Sequence, residues 1–207
     1  MRRLPLTLLL CALAGCAGMD AEECATADWR AIGYEDGIQG RSAAQFGSHR
    51  KACAGHGIRA DFDAYLAGRA EGVAQFCRPQ NGYQRGLQGE PYAGICPFEL
   101  EGPFLAAHAE GYGLYERGAV LDRLRKKIRY SQERARSIEY QLAEGTALLI
   151  APDLLPTERA TLVIELKQLT EEKLDLERSI DQLEQDYAAA ELEYEGYRSY
   201  LASQNGG

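Results

Sequence analysis

The chain has three histidines, His49, His56 and His108, and they bound the acid/base chemistry open to it. His49 and His56 lie seven residues apart, with Asp61 and Asp63 just beyond. An imidazole beside a carboxylate can shuttle protons, and the same residue types can ligate a metal. The segment HRKACAGHG reads equally well as a polar loop between two helices. Gly-x-Ser-x-Gly, His-Glu-x-x-His and a free thiol beside a base are all absent from the sequence. Glu22 with Glu23, and Asp61 with Asp63, read as solvated pairs near helix caps. The expectation is a protein that is not an enzyme, with no catalytic residue, no cofactor and no metal. A hydrolase built on His49 and His56 is kept as a third reading.

The cysteines have more to say. MRR is a short positive n-region, and LPLTLLLCALA is an apolar stretch of eleven residues. At a rise of ~1.5 Å per residue that stretch is too short to cross a hydrocarbon core of ~30 Å. It reads as a signal peptide over residues 1–15. It ends in Leu13-Ala14-Gly15-Cys16, which resembles the lipobox of bacterial lipoproteins. That resemblance implies cleavage before Cys16 and a lipid on Cys16, with residues 16–27 as a tether. More than one acyl chain makes a stable anchor, at ~0.8 kcal/mol per buried CH₂. Ala17 follows, where an Asp would resemble an inner-membrane retention signal. The expected location is the outer membrane, lipid-anchored on the periplasmic side.

Without residues 1–15 the chain keeps 21 Lys+Arg against 31 Asp+Glu, a balance of −10. Such a body does not invite nucleic acid or broad contact with anionic lipid. Four cysteines remain, Cys24, Cys53, Cys77 and Cys96, an even number in an exported chain. No Cys-x-x-Cys pair occurs among them, so disulfides are preferred to zinc.

The elements that must position these residues fall into two unlike halves. Sixteen of the 22 glycines lie between Gly33 and Gly118, with Cys53, Cys77 and Cys96, and Cys24 stands just before them. Beyond residue 118 the chain turns to charge and leucine. Leu162, Leu166, Leu169, Lys173, Leu176, Ile180, Leu183, Tyr187, Ala190, Tyr194, Tyr197 and Leu201 alternate steps of four and three. Leu121, Leu124, Ile128, Ser131, Ala135, Ile138 and Leu142 do the same, and Phe104, His108, Gly111, Tyr115 and Gly118 extend the face backward, with Pro103 suited to a first helical turn. Heptads sustained this long indicate coiled-coil helices. Residues 119–145 carry a charge of +3 and residues 157–201 carry −7, so the two helices complement each other. Pro152 and Pro156 interrupt the connection GTALLIAPDLLPTER. The prediction is an antiparallel hairpin over 119–203, with a tail at 204–207. Leu148, Leu149, Ile150, Leu154 and Leu155 crowd its tip. They either close the hairpin on each other or form a contact surface for an envelope protein.

In the earlier half, GYEDGIQG at 33–40 returns as GYQRGLQG at 82–89, and looser copies are AYLAGRAEG at 64–72 and AHAEGYG at 107–113. Tyr65, Gly68 and Gly72 share one helix face. Glycine in a helix costs about 1 kcal/mol relative to alanine, which is tolerated where another backbone comes close. The repeat therefore reads as packing, a Tyr of one helix over the glycine face of another, with His108 as the ring in the fourth copy. A glycan or small-molecule platform built from Tyr34, Tyr65 and Tyr83 is the ligand-binding alternative. No strand precedes any copy, which argues against a phosphate cradle. Asp28 and Asp61 stand as helix caps. The coarse layout has helices from Asp28, over about 43–54, from Asp61 to about 76, over 80–89 and from near 98. Sequence alone allows three pairings of the cysteines. The helix layout selects Cys24–Cys53 and Cys77–Cys96.

DWRAIGYEDGIQGR, HRKACAGHGIRADFDAYLAGRAEG and QFCRPQNGYQRGLQGEPYAGICP together resemble a family of exported bacterial lipoproteins that carry a domain of unknown function. The resemblance covers about residues 24–118. It implies an envelope location and a four-cysteine body, and it brings no catalytic residue. The expected fold is all-α: a small disulfide-stapled helical body at 28–118 with a long antiparallel coiled-coil hairpin. The expected role is a structural or protein-interaction module of the cell envelope.

Overall fold

The computed structural model describes residues 19–204. Those residues form seven α-helices and no strand. The helices are α1 (Ala21–Thr26), α2 (Trp29–Ile38), α3 (Gln45–Ala54), α4 (Phe62–Phe76), α5 (Pro79–Leu87), α6 (Phe98–Leu149) and α7 (Pro156–Gln204). The protein is all-α. The chain divides into two units, Met1–Gly82 with Pro91–Ala106, and Tyr83–Glu90 with Ala107–Gly207. No helix ends at residue 118, because α6 runs through it.

Carboxylates start the early helices. Asp28 accepts from Arg30 N and Ala31 N at 3.0 Å each, and Asp61 accepts from Ala64 N at 2.9 Å. Asp20 accepts from Glu23 N while Glu23 accepts from Asp20 N, a reciprocal capping box that forms α1. The expected tether at 16–27 therefore contains a helix. Cys24 lies in it, buried and bonded to Cys53.

Two disulfides anchor the first unit, Cys24–Cys53 and Cys77–Cys96, with Cα separations of 5.5 and 5.6 Å. Each bridge sits in its own apolar cluster. The first joins Cys24, Trp29, Phe46, Cys53 and Tyr65. The second joins Val73, Phe76, Cys77, Cys96 and Phe104. A unit this small has little core, and each bridge contributes about 3 kcal/mol by loop-closure entropy.

The glycines explain how the helices approach. Gly33 and Gly37 on α2 face Gly68 and Gly72 on α4, backbone to backbone. A Cβ at Gly33 would lie under 3.0 Å from the carbonyl of Tyr65, and one at Gly68 under 3.0 Å from that of Arg30. Only glycine allows helices this close. The chain then repeats the device. Gly82 on α5 meets the carbonyl of Phe104 within the first unit, and Gly86 meets that of His108 within the second. After each motif the helix is closed by a glycine of positive φ, Gly40 at 73° and Gly89 at 71°. An aromatic ring lies against each closing glycine, Phe76 against Gly40 and Tyr115 against Gly89.

This equivalence corrects the expected register. The four copies form two crossings, and the operative spacing is small-x-x-x-small: Gly33/Gly37, Gly68/Gly72, Gly82/Gly86 and Ala107/Gly111. Phe104 takes the place of Tyr65, and His108 takes that of Arg69. At Gly33, Gly37, Gly68, Gly72, Gly86 and Gly111 opposing backbone occupies the space, and only at Gly82 does a ring, that of Phe104, also come close.

In the second unit α6 and α7 run antiparallel. Arg134 forks onto Glu172 at 2.7 and 2.9 Å. Lys173 bridges Glu139 at 2.9 Å and Glu177 at 3.2 Å. Arg125 donates to the Tyr187 hydroxyl at 3.1 Å, and the Arg117 guanidinium stacks 4.1 Å over the Tyr197 ring. Every seam position from Leu162 to Leu201, and from Leu121 to Leu142, is buried or half-buried. Upstream the seam departs from expectation. Leu114 is buried, whereas Tyr115 is 43% exposed and lays its ring against Gly89, just after α5. Phe104 packs on Phe76 and Tyr92, with ring centroids 5.5 and 5.3 Å away. Pro103 lies inside α6 rather than in its first turn, since Phe98 opens the helix. Helix α6 also continues to Leu149, leaving only 150–155 as connection, and Pro156 opens α7.

Candidate functional site

The densest set of chemistry-bearing groups surrounds Asp36. Gly33, Asp36, Gly37 and Gly40 fall at i, i+3, i+4 and i+7, so the turn that presents glycine to α4 also turns a carboxylate inward. Asp36 is only 3% exposed. It accepts from the Tyr65 hydroxyl at 2.8 Å on Oδ2, and His49 Nε2 lies 3.0 Å from the same oxygen. Arg41 donates to Oδ1 at 3.1 Å. The buried charge is thus fully engaged, as burial of a carboxylate requires.

This arrangement changes the reading of several residues. His49 is held by Asp36, whereas His56 is exposed in the loop after α3. Asp61 caps α4, and Asp63 is exposed in its first turn. The two histidines therefore do not share a site with those aspartates. Tyr65 is 0% exposed, so it offers no face to a sugar, and a platform of Tyr34, Tyr65 and Tyr83 loses its central ring. Tyr34 and Tyr83 are half-buried, and their carbonyls lie against Gly72 and Gly111. Burial, then the hydrogen bond to Asp36, push the Tyr65 phenol well above its ordinary range. A phenol held neutral in this way is a hydrogen-bond donor, not a nucleophile.

Asp36 and Arg41 were missed in the sequence. The signal was present, since Asp36 shares the helix face of Gly33 and Gly37. The second crossing shows what the cluster adds. There Arg85 stands in the place of Asp36 and Glu90 in that of Arg41, and these two pair with the charges exchanged. Phe104, without a hydroxyl, fills the place of Tyr65. The crossing itself does not require the polar cluster.

His108 Nε2 lies 2.7 Å from the Glu90 carbonyl, and the ring stacks on Tyr112. Among the described residues no group of three or more His, Cys, Asp or Glu is placed to hold a metal. None of the described helices is long and apolar enough to cross a membrane. Cys16 lies outside the described residues.

At the hairpin tip, Ile150 is 83% and Leu155 58% exposed, and Leu148 is exposed as well. Leu149 and Leu154 are half-buried. Arg159 donates to the Ala151 carbonyl at 3.1 Å, and Glu158 accepts from Leu155 N at 3.1 Å. The turn is closed by these polar contacts rather than by the leucines alone.

A family model described as a protein of unknown function (DUF2799) matches residues 28–113. That domain runs from the Asp28 cap through Gly111, and so takes in both glycine crossings. No curated protein and no solved structure matches the chain.

Proposed function

We propose that this protein is a lipid-anchored component of the bacterial envelope, held through Cys16 on the periplasmic side of the outer membrane. It acts as a non-enzymatic structural or protein-interaction module, and the tip of its helical hairpin is the contact surface. The carrying observation is the exposure of Ile150 and Leu155 at a turn whose polar closure does not depend on them. The seam of the hairpin is satisfied within the chain, and the tip gathers exposed Leu148, Ile150 and Leu155 around one short connection, apolar surface open to another protein. The N-terminal lipobox pattern supports the anchor.

Two experiments test the two parts. Labelled palmitate should enter the protein in cells and be lost in Cys16→Ser; equal labelling of both would remove the anchor. Ile150→Glu with Leu155→Glu should keep the helical circular dichroism and lose the envelope protein that co-purifies with the parent. Retention of that protein by the double variant would remove the tip. A second reading, ligand binding by the body, rests on a groove beside α3 rather than on the tyrosines.

A further inference from the structure

Within the first unit a groove of about 790 Å³ runs between α3 and the segment that returns to α4. The rings of Phe46 and Phe62 form one end, with centroids 4.9 Å apart. Arg50 and Arg59 line it, and neither forms an ion pair among the described residues. Gly57, at φ 74°, turns the chain so that Ile58 N reaches back to the Cys53 carbonyl at 3.0 Å. Arg59 follows that turn and lines the groove.

Gly47 is the most informative wall. Unlike Gly33, Gly37, Gly68 and Gly72, it has no helix against it: an added Cβ would meet nothing within 4 Å. Its φ is not positive either, since the positive-φ glycines are Gly40, Gly57, Gly89 and Gly94. Neither packing nor backbone geometry calls for glycine in this first turn of α3, where another residue would favour the helix. What the missing side chain leaves is open space in a groove that Phe46, Phe62, Arg50 and Arg59 also line. Guanidinium groups fork onto carboxylate or phosphate oxygens, and the rings accept an apolar body.

We infer that this groove is a binding site for a small amphipathic anion, an apolar ring or chain bearing a phosphate or carboxylate. The site stands independently of the hairpin tip, so loss of one leaves the other intact.

The test uses the full chain with 8-anilinonaphthalene-1-sulfonate, whose sulfonate stands in for the natural oxyanion. N-phenyl-1-naphthylamine serves as its uncharged counterpart. The single Trp, Trp29, stacks edge-on against Phe46 at 6.1 Å between centroids, so energy transfer from Trp29 reports occupancy locally. Gly47→Leu should fill that space, abolish transfer to both probes and leave the melting temperature unchanged or higher. Arg50→Gln with Arg59→Gln should weaken the anionic probe by about ten-fold or more and leave the neutral probe within about two-fold. Wild-type binding by Gly47→Leu, or equal loss of both probes in the arginine variant, would overturn the site. Displacement by lysophosphatidic acid would identify a lipid headgroup as the source, and displacement by 1-naphthyl phosphate a soluble ligand. Displacement by neither would overturn the assignment.

Discussion

Tyr65 and Asp36 carry the polar chemistry of the body, and they act as one unit. The hydroxyl donates to a carboxylate that is almost wholly withdrawn from water. Removing a single donor leaves His49 and Arg41 to hold the charge. Tyr65→Phe should therefore fold, because Phe104 fills the equivalent place, and lose about 1–3 kcal/mol in a denaturant titration. The pH dependence follows from the same contact. The folded-state pKa of Tyr65 lies above the unfolded value of 10.0, raised first by burial and then by Asp36. Its contribution is whole below pH 10 and is lost as pH climbs toward the folded value. Melting temperatures measured from pH 8 to 11 should fall along this limb, and less steeply in Tyr65→Phe. An unchanged slope would mean that another group carries the alkaline loss.

The elements show why glycine is used so heavily and where it is dispensable. Gly68→Ala would drive a Cβ onto the Arg30 carbonyl, and neither backbone can retreat without parting the helices. The expected loss is about 3 kcal/mol or more, with the first unit opening as α2 leaves α4. Gly196→Ala is the contrasting case, since an added Cβ there meets nothing within 4 Å. It should raise stability by about 0.5–1 kcal/mol. Lys173 is the one charged residue in the α7 seam, tied to Glu139 and Glu177. Lys173→Leu should raise the melting temperature of the hairpin by adding about 1 kcal/mol of apolar burial, at some loss of register specificity. Thermal melts check all three substitutions together. The seam was readable in advance because a period of 3.5 over many residues admits one geometry. Tyr115 was misread as a seam residue where the segment closing α5 takes its ring and Leu114 is buried instead, a tertiary effect no heptad records. The tyrosine repeat was visible as a repeat, yet its register was set by opposing carbonyls, which side-chain types do not announce. Asp36 was legible only as a polar residue on a glycine face, and its partners come from three other stretches of chain.

At the scale of the whole molecule, two units rest on different physics. The first, with Cys24–Cys53 and Cys77–Cys96, depends on cross-links, whereas the second depends on a long heptad seam. Reductant should remove about 2–5 kcal/mol per bridge and open the first unit while the helices of the second persist. Hydrogen exchange would then rise in residues 20–80 before it rises in 121–200, and simultaneous exchange would contradict the division. On the proposed function the molecule works by contact, and the contact is the hairpin tip. The most direct measurement is in-cell photo-crosslinking from a probe at Ile150 or Leu155, the two most exposed apolar positions of the tip. A discrete adduct to another protein is expected from both positions, absent from a probe at exposed Gln182 on α7. Equal adducts from all three positions, self-adducts only, or none would contradict it.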